Sequence, residues 1–149
     1  MGTLRHAAAA LAVAGGVLAG AEALADEVMP GDVVFEGERV VSPLTDAKPS
    51  GWRGVNLFID EAGPNCVSCH ENPDVAGTGL KGDVGPVIGL VAERYGEAEF
   101  RAILVDAKRV FGADTPMPSF YGGPGGPVLS AQEIEDLVAY LMELRRSLH

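Results

Sequence analysis

The chain has 149 residues, 47% of them hydrophobic, and its 11 Lys and Arg stand against 21 Asp and Glu for a formal net charge of −10. That length suffices for one compact domain. So acidic a balance argues against nucleic acid and anionic lipid as partners; it permits steering towards a basic protein patch, or serves only for solubility.

Residues 1–25 read as a secretory signal peptide. Arg5 and His6 form the n-region, Ala7 to Gly20 is an uncharged apolar run of fourteen residues, and Ala23-Leu24-Ala25 is a small-x-small cleavage site. The run falls short of the roughly 20 residues that span a bilayer, which weighs against a retained membrane anchor. Cleavage after Ala25 starts the mature chain at Asp26 and leaves 124 residues. It removes only Arg5 and Glu22 among charged residues, so the net charge stays at −10. No later segment is apolar over enough length to cross a membrane.

Asp26 to Ser50 reads as an extended arm with at most a weak hairpin. Val33-Val34-Phe35 and Val40-Val41 are short β-type runs around Gly37, and Pro43 and Pro49 interrupt any helix. These apolar residues need cover, either from the same domain or from a partner.

From Ser50 the pattern turns helical. Ser50 is an N-cap candidate, and Val55, Phe58 and Ile59 recur at i, i+3, i+4. Gly54 on this helix permits a close crossing by another helix. Gly63-Pro64 then breaks the helix and leads into Cys66-Val67-Ser68-Cys69-His70.

This pentapeptide is C-x-x-C-H, the attachment signature of a c-type haem. Two thiols on one short turn can each add to a vinyl group of a porphyrin, and the adjacent imidazole then lies under the ring as proximal ligand. Rival readings fit less well. A redox C-x-x-C needs a preceding strand and a βαβ context, and Ala62-Gly63-Pro64-Asn65 offers no strand. A structural zinc site needs about four ligands, whereas the chain has two Cys, and its other histidines are His6 and His149 near its ends. A disulfide between Cys66 and Cys69 closes almost no loop and gains little. Export suits the haem reading, because attachment requires reduced thiols and haem delivered together outside the cytoplasmic membrane.

Glu71 to Asp83 is polar and Gly-rich, a loop. In Gly85-Pro86 the proline carbonyl is an acceptor for the His70 Nδ1–H, which fixes the tautomer of the ring; the same dipeptide also opens a short helix, Val87 to Arg94. Glu97 to Val110 reads as one longer helix with Phe100, Ile103, Leu104 and Ala107 on one face and Gly112 just past its end.

Gly112 to Pro127 is a loop with five Gly and four Pro. Pro116 and Pro118 hold Met117 in a stiff extended segment that can press a thioether onto the distal face of a haem. Met29 lies in the arm and Met142 at core-like helical spacing, which leaves Met117 as the distal candidate. The last element is Ser130 to Leu148. Ser130-Ala131-Gln132-Glu133 is a capping box, Leu129 can staple onto Ile134, and Ile134, Leu137, Val138 and Leu141 form its apolar stripe with Tyr140 beside it.

The order of these features resembles the class I cytochrome c fold across Ser50 to Leu148. It implies an all-α domain, residues 51–149, wrapped around one covalent haem, with the arm at 26–50. Cys66 and Cys69 then bind the cofactor, and His70 and Met117 bind its iron.

A closer resemblance is to the SoxX family, the monohaem subunits of SoxAX cytochromes. Val105 to Gly112, Asp114 to Tyr121, Gly89 to Tyr95 and Pro43-Leu44-Thr45 carry it. Ala107 stands where that family commonly has Pro, a departure that leaves the ligands unaffected. The resemblance implies a periplasmic heterodimer with a SoxA-like haem subunit, acting as an L-cysteine S-thiosulfotransferase. SoxA joins thiosulfate to a cysteine of the SoxYZ carrier, and the SoxX haem passes the released electrons to a small cytochrome c. No catalytic residue is implied here, since both cysteines are used by the haem. A free-standing electron-shuttle cytochrome is the competing reading, and a gas sensor or peroxidase needs the iron position that Met117 fills. Part of the partner contact is expected from the arm, in which no ligand lies.

Overall fold

The computed structural model describes residues 26–79, 82–122 and 129–147. The signal peptide expected at 1–25, with its expected cleavage site, and His149 lie outside the described residues. The helices are α1 (Gly51–Ile59), α2 (Ile88–Arg94), α3 (Glu97–Val105), α4 (Ala107–Phe111) and α5 (Ala131–Ser147). Turns of 3-10 helix occur at Pro30–Asp32, Cys66–Ser68 and Pro73–Thr78, the last inside the segment expected to be loop. Among the described residues there is no strand, only isolated bridges of Glu27 with Thr45 and Glu36 with Arg39. The fold is all-α.

Three helix starts, those of α1, α4 and α5, are capped by side chains. The Ser50 hydroxyl accepts from the Arg53 N–H at 3.4 Å and caps α1. At α5 the Glu133 N–H donates to Ser130 Oγ at 3.3 Å, and the Ser130 N–H donates to Glu133 Oε2 at 2.8 Å, the reciprocal pair of a capping box. The long helix expected over Glu97 to Val110 is two helices. Asp106 leaves the helical region at φ −150°, and its carboxylate accepts from the Arg109 N–H at 3.2 Å to start α4. A short acidic side chain that competes for backbone donors explains the break. Gly112, at φ +95°, ends α4.

Helix α5 packs on α1, α2 and α3. It crosses α1 where Gly54 lets the backbones touch: a Cβ there would lie 2.1 Å from the Asp136 carbonyl oxygen. Phe58 meets Tyr140 edge-on beside the crossing, ring centroids 5.8 Å apart. Ile134, Leu137, Val138 and Leu141 are buried, as their periodicity requires. Burying each contributes about 1.5–3 kcal/mol.

The arm folds back onto this helical body. Val40 and Leu44 are buried in the common core, and Val28, Val33 and Phe35 pack against it. Val34 and Val41 remain exposed, at 73% and 46%. Polar anchors fix the arm. The Val40 N–H donates to the Ala98 carbonyl at 3.0 Å. Arg101 of α3 reaches the Val40 carbonyl at 2.8 Å and forms a two-pronged pair with Glu135 of α5 at 2.6 and 2.9 Å. The same Glu135 accepts from the Leu44 N–H at 2.8 Å. Both charges of this pair are buried, so each depends on the other's presence. Asp136, the next residue, is also buried; it holds the α1 start through the Ser50 N–H at 2.7 Å and Arg53 Nε at 2.6 Å.

Candidate functional site

A cavity of about 560 Å³ opens between these helices. Cys66, Cys69, His70 and Met117 line it together, and Phe58, Phe100, Leu104, Leu137 and Leu141 give it an apolar wall. Met29 and Met142 do not line it; Met29 is on the surface, and Met142 packs against the core from α5.

The cysteine turn is built locally. Asn65 sits in the left-handed region at φ 49°, which Asn tolerates better than most side chains, and it launches the 3-10 turn Cys66–Ser68. The Ser68 hydroxyl donates to the Asn65 carbonyl at 2.7 Å, and the His70 N–H donates to the Cys66 carbonyl at 2.9 Å. Burial pushes the Cys66 thiol up to about 12, so it is neutral at ordinary pH. That is the opposite of the electropositive setting that makes a redox or metal-binding thiolate. Among the described residues no group of three or more His, Cys, Asp or Glu side chains is arranged to hold a metal ion.

His70 is fixed from the segment that follows. Its Nδ1 lies 2.8 Å from the Pro86 carbonyl oxygen. A carbonyl only accepts, so Nδ1 carries the proton and Nε2 keeps the lone pair that can bind a metal. The Gly85 N–H donates to the Cys69 carbonyl at 2.8 Å and the Ile88 N–H to the Glu71 carbonyl at 2.9 Å. Two glycines allow this approach. A Cβ at Gly82 would stand 2.4 Å from the Cys69 carbonyl carbon, and one at Gly85 2.4 Å from His70 Cε1.

Met117, the fourth residue of the pattern, is carried by the loop after α4. The Ser119 hydroxyl donates to Asp106 Oδ1 at 2.9 Å, the Phe120 N–H to the Leu104 carbonyl at 3.0 Å, and Lys108 Nζ to the Thr115 carbonyl. The arm also holds the loop: the Tyr121 hydroxyl donates to the Val28 carbonyl, and Pro30 packs against Gly122. Arg109 stacks on Phe35 of the arm at 4.2 Å. Arg94 lines the cavity, where its guanidinium can meet the carboxylates of a porphyrin, whereas Lys108 and Arg109 are engaged as just described. Sequence reasoning did not single out Asp106, Ser119, Arg101 or Glu135. The one available signal was an Asp within a helical pattern, a residue that often marks a break.

The arrangement fits a flat macrocycle held through two thiols and one imidazole, with a thioether available in the same chamber. The cavity is within the 300–1,000 Å³ or so typical of cofactor sites, and it is closed in by apolar side chains and small backbone contacts.

Comparison with known proteins agrees. The cytochrome c family model matches residues 52–145. No curated protein sequence matches the chain. Among solved structures it is similar to a chain of the crystal structure of SoxXA from P. pantotrophus, with a TM-score of 0.73 and 33% identity, over 80% of this chain and 98% of that chain. With covalently bound haem c as its cofactor class, the chain belongs to the cytochrome c family and is an electron-transfer cytochrome of the SoxX type.

Proposed function

We propose that the chain is the electron-transfer subunit of a periplasmic SoxAX-type complex, exported by its leader and cleaved after Ala25. In this reading it carries one haem, attached through Cys66 and Cys69, with His70 as proximal ligand and Met117 as distal ligand. Its partner is a SoxA-like haem subunit that joins thiosulfate to a SoxYZ cysteine, and its electron acceptor is a small cytochrome c.

The observation that carries the site assignment is the 2.8 Å contact of His70 Nδ1 with the Pro86 carbonyl in the same cavity that Met117 lines. Haem held there supplies one-electron redox chemistry. The chain's own residues set its conditions. The Pro86 carbonyl holds the proton on His70 Nδ1 and raises the basicity of the ring. The Met117 thioether favours the ferrous state and raises the potential. The apolar wall limits the access of water to the site.

A free-standing electron shuttle is kept as the second reading because the arm folds back onto its own core, so its apolar residues no longer argue for a partner by themselves. Similarity to SoxXA supports the bound subunit. Co-purification from the periplasm, with haem staining of a denaturing gel and mass spectrometry, separates the two. The complex predicts a larger haem-stained partner and a mass gain of one haem on this chain. A shuttle elutes alone, and a Cys66→Ala, Cys69→Ala double variant that still stains for haem sinks the site assignment.

A further inference from the structure

We infer that Asp106 is the positioning residue for the distal ligand, an inference that rests on the assignment of Met117 to the haem iron. One carboxylate oxygen of Asp106 takes part in two jobs. Oδ1 accepts from the Arg109 N–H at 3.2 Å, which starts α4. It also accepts from the Ser119 hydroxyl at 2.9 Å, two residues beyond Met117. Two residues before Met117, the Thr115 carbonyl accepts from Lys108 on the first turn of α4. Both flanks of the Met117 segment are therefore tied to the helix start that Asp106 organises. Ser119 is buried, so its hydroxyl has no ready supply of water to replace a lost acceptor. Pro116 and Pro118 stiffen the segment between the ties, and a shift at Ser119 is carried to Met117 rather than absorbed.

The test is imidazole binding to the ferric holoprotein, read in the visible spectrum, together with the near-infrared sulfur-to-iron band. Imidazole reaches the iron only when the thioether is off, so its apparent affinity reports how firmly Met117 is held. Asp106→Ala should tighten imidazole binding about tenfold, the effect of losing one buried hydrogen bond. Ser119→Ala, which leaves the α4 cap intact, should do the same, and it carries the test if Asp106→Ala does not fold. The double variant should go no further than Asp106→Ala alone, since that variant has already lost the contact that Ser119→Ala removes. Asp106→Asn keeps an accepting oxygen and should restore near-native affinity. Ser130→Ala removes a cap on α5 and should lower thermal stability without moving imidazole affinity.

Wild-type imidazole affinity in both Asp106→Ala and Ser119→Ala, or an equal rise in Ser130→Ala, overturns the inference while leaving Met117 as ligand. Met117→Ala separates the two levels. It should abolish the near-infrared band and make imidazole affinity insensitive to Asp106→Ala. A band that survives Met117→Ala overturns the ligand assignment itself.

Discussion

The two walls of the cavity are held in different ways. The wall with Cys66, Cys69 and His70 is fixed almost entirely by backbone contacts within one stretch of chain. The Cys66 carbonyl serves His70, the Cys69 carbonyl serves Gly85, and Pro86 orients the ring from 16 residues away. The wall with Met117 is fixed mainly through side chains: Asp106 and Lys108 at the start of α4 hold the loop from nearby in sequence, while Tyr121 and Arg109 tie the loop and α4 to the arm at Val28 and Phe35. The arm is itself clamped by Arg101 and Glu135. Local backbone contacts make the imidazole side depend less on the rest of the molecule. The thioether side inherits the stability of the arm and of α3 to α5.

Three experiments break or sharpen this contrast. The largest effect is expected from Glu135→Ala. It leaves the Arg101 guanidinium buried without its partner and the Leu44 N–H without an acceptor, a loss of roughly 3–5 kcal/mol by denaturant unfolding. The arm should loosen first, and the near-infrared band should fade below the denaturant concentration at which His70 ligation is lost. If band and global unfolding stay coincident, the two walls are not separately held. Although no ligand is expected in the arm, its contacts with the Met117 loop through Val28 and Pro30 carry its loosening to the distal side.

Gly85→Ala attacks the other wall. A Cβ set 2.4 Å from His70 Cε1 must push the ring off the Pro86 carbonyl. The expected cost is about 1–3 kcal/mol. Potentiometry should show a shifted reduction potential while imidazole affinity stays near native. A shift in imidazole affinity of the same size as in Ser119→Ala would mean that the walls communicate.

The smallest effect concerns the side-chain ties from the segment after His70 to Tyr140 of α5, whose hydroxyl also donates to Asp74 Oδ2 at 3.4 Å. Buried Asn72 donates from Nδ2 to the Tyr140 hydroxyl at 2.7 Å. Burial pushes the Tyr140 phenol up to about 12, against about 10 in an unfolded chain. The folded state therefore keeps this proton more strongly than the unfolded one. Its contribution is full below about pH 10 and is lost as the pH rises towards about 12. Thermal unfolding followed across that alkaline window should show a declining midpoint, and the decline should flatten in Tyr140→Phe. An identical slope in the variant refutes the assignment.

The legible parts of the site share a property: their partners are close in sequence. Cys66, Cys69 and His70 fall on one turn, and Gly85-Pro86 follows soon enough for its carbonyl to be read as the His70 acceptor. The Ser130–Glu133 box marks the α5 start by itself. Met117 was legible because two prolines isolate it and the competing methionines sit in the arm and in a helix stripe. Gly54 was legible as a crossing point because glycine in a helix has little other use.

The sequence by itself determined the haem-binding turn, the helix order, the capped C-terminal helix and the loop that carries Met117, because each rests on chemistry within a few residues. Only the tertiary structure decided that the arm packs against its own helices, that Arg101 and Glu135 are a buried pair, and that Asp106 breaks a helix and takes up Ser119. An acidic chain offers 21 carboxylates, and nothing in the residue type separates one that solvates the surface from one that holds the core. Glu135 meets Arg101 across 34 positions and Leu44 across 91, and Tyr121 reaches Val28 across 93. Such pairs exist only once the chain has folded, because burial between packed elements is what turns an ordinary charge or hydroxyl into a required partner.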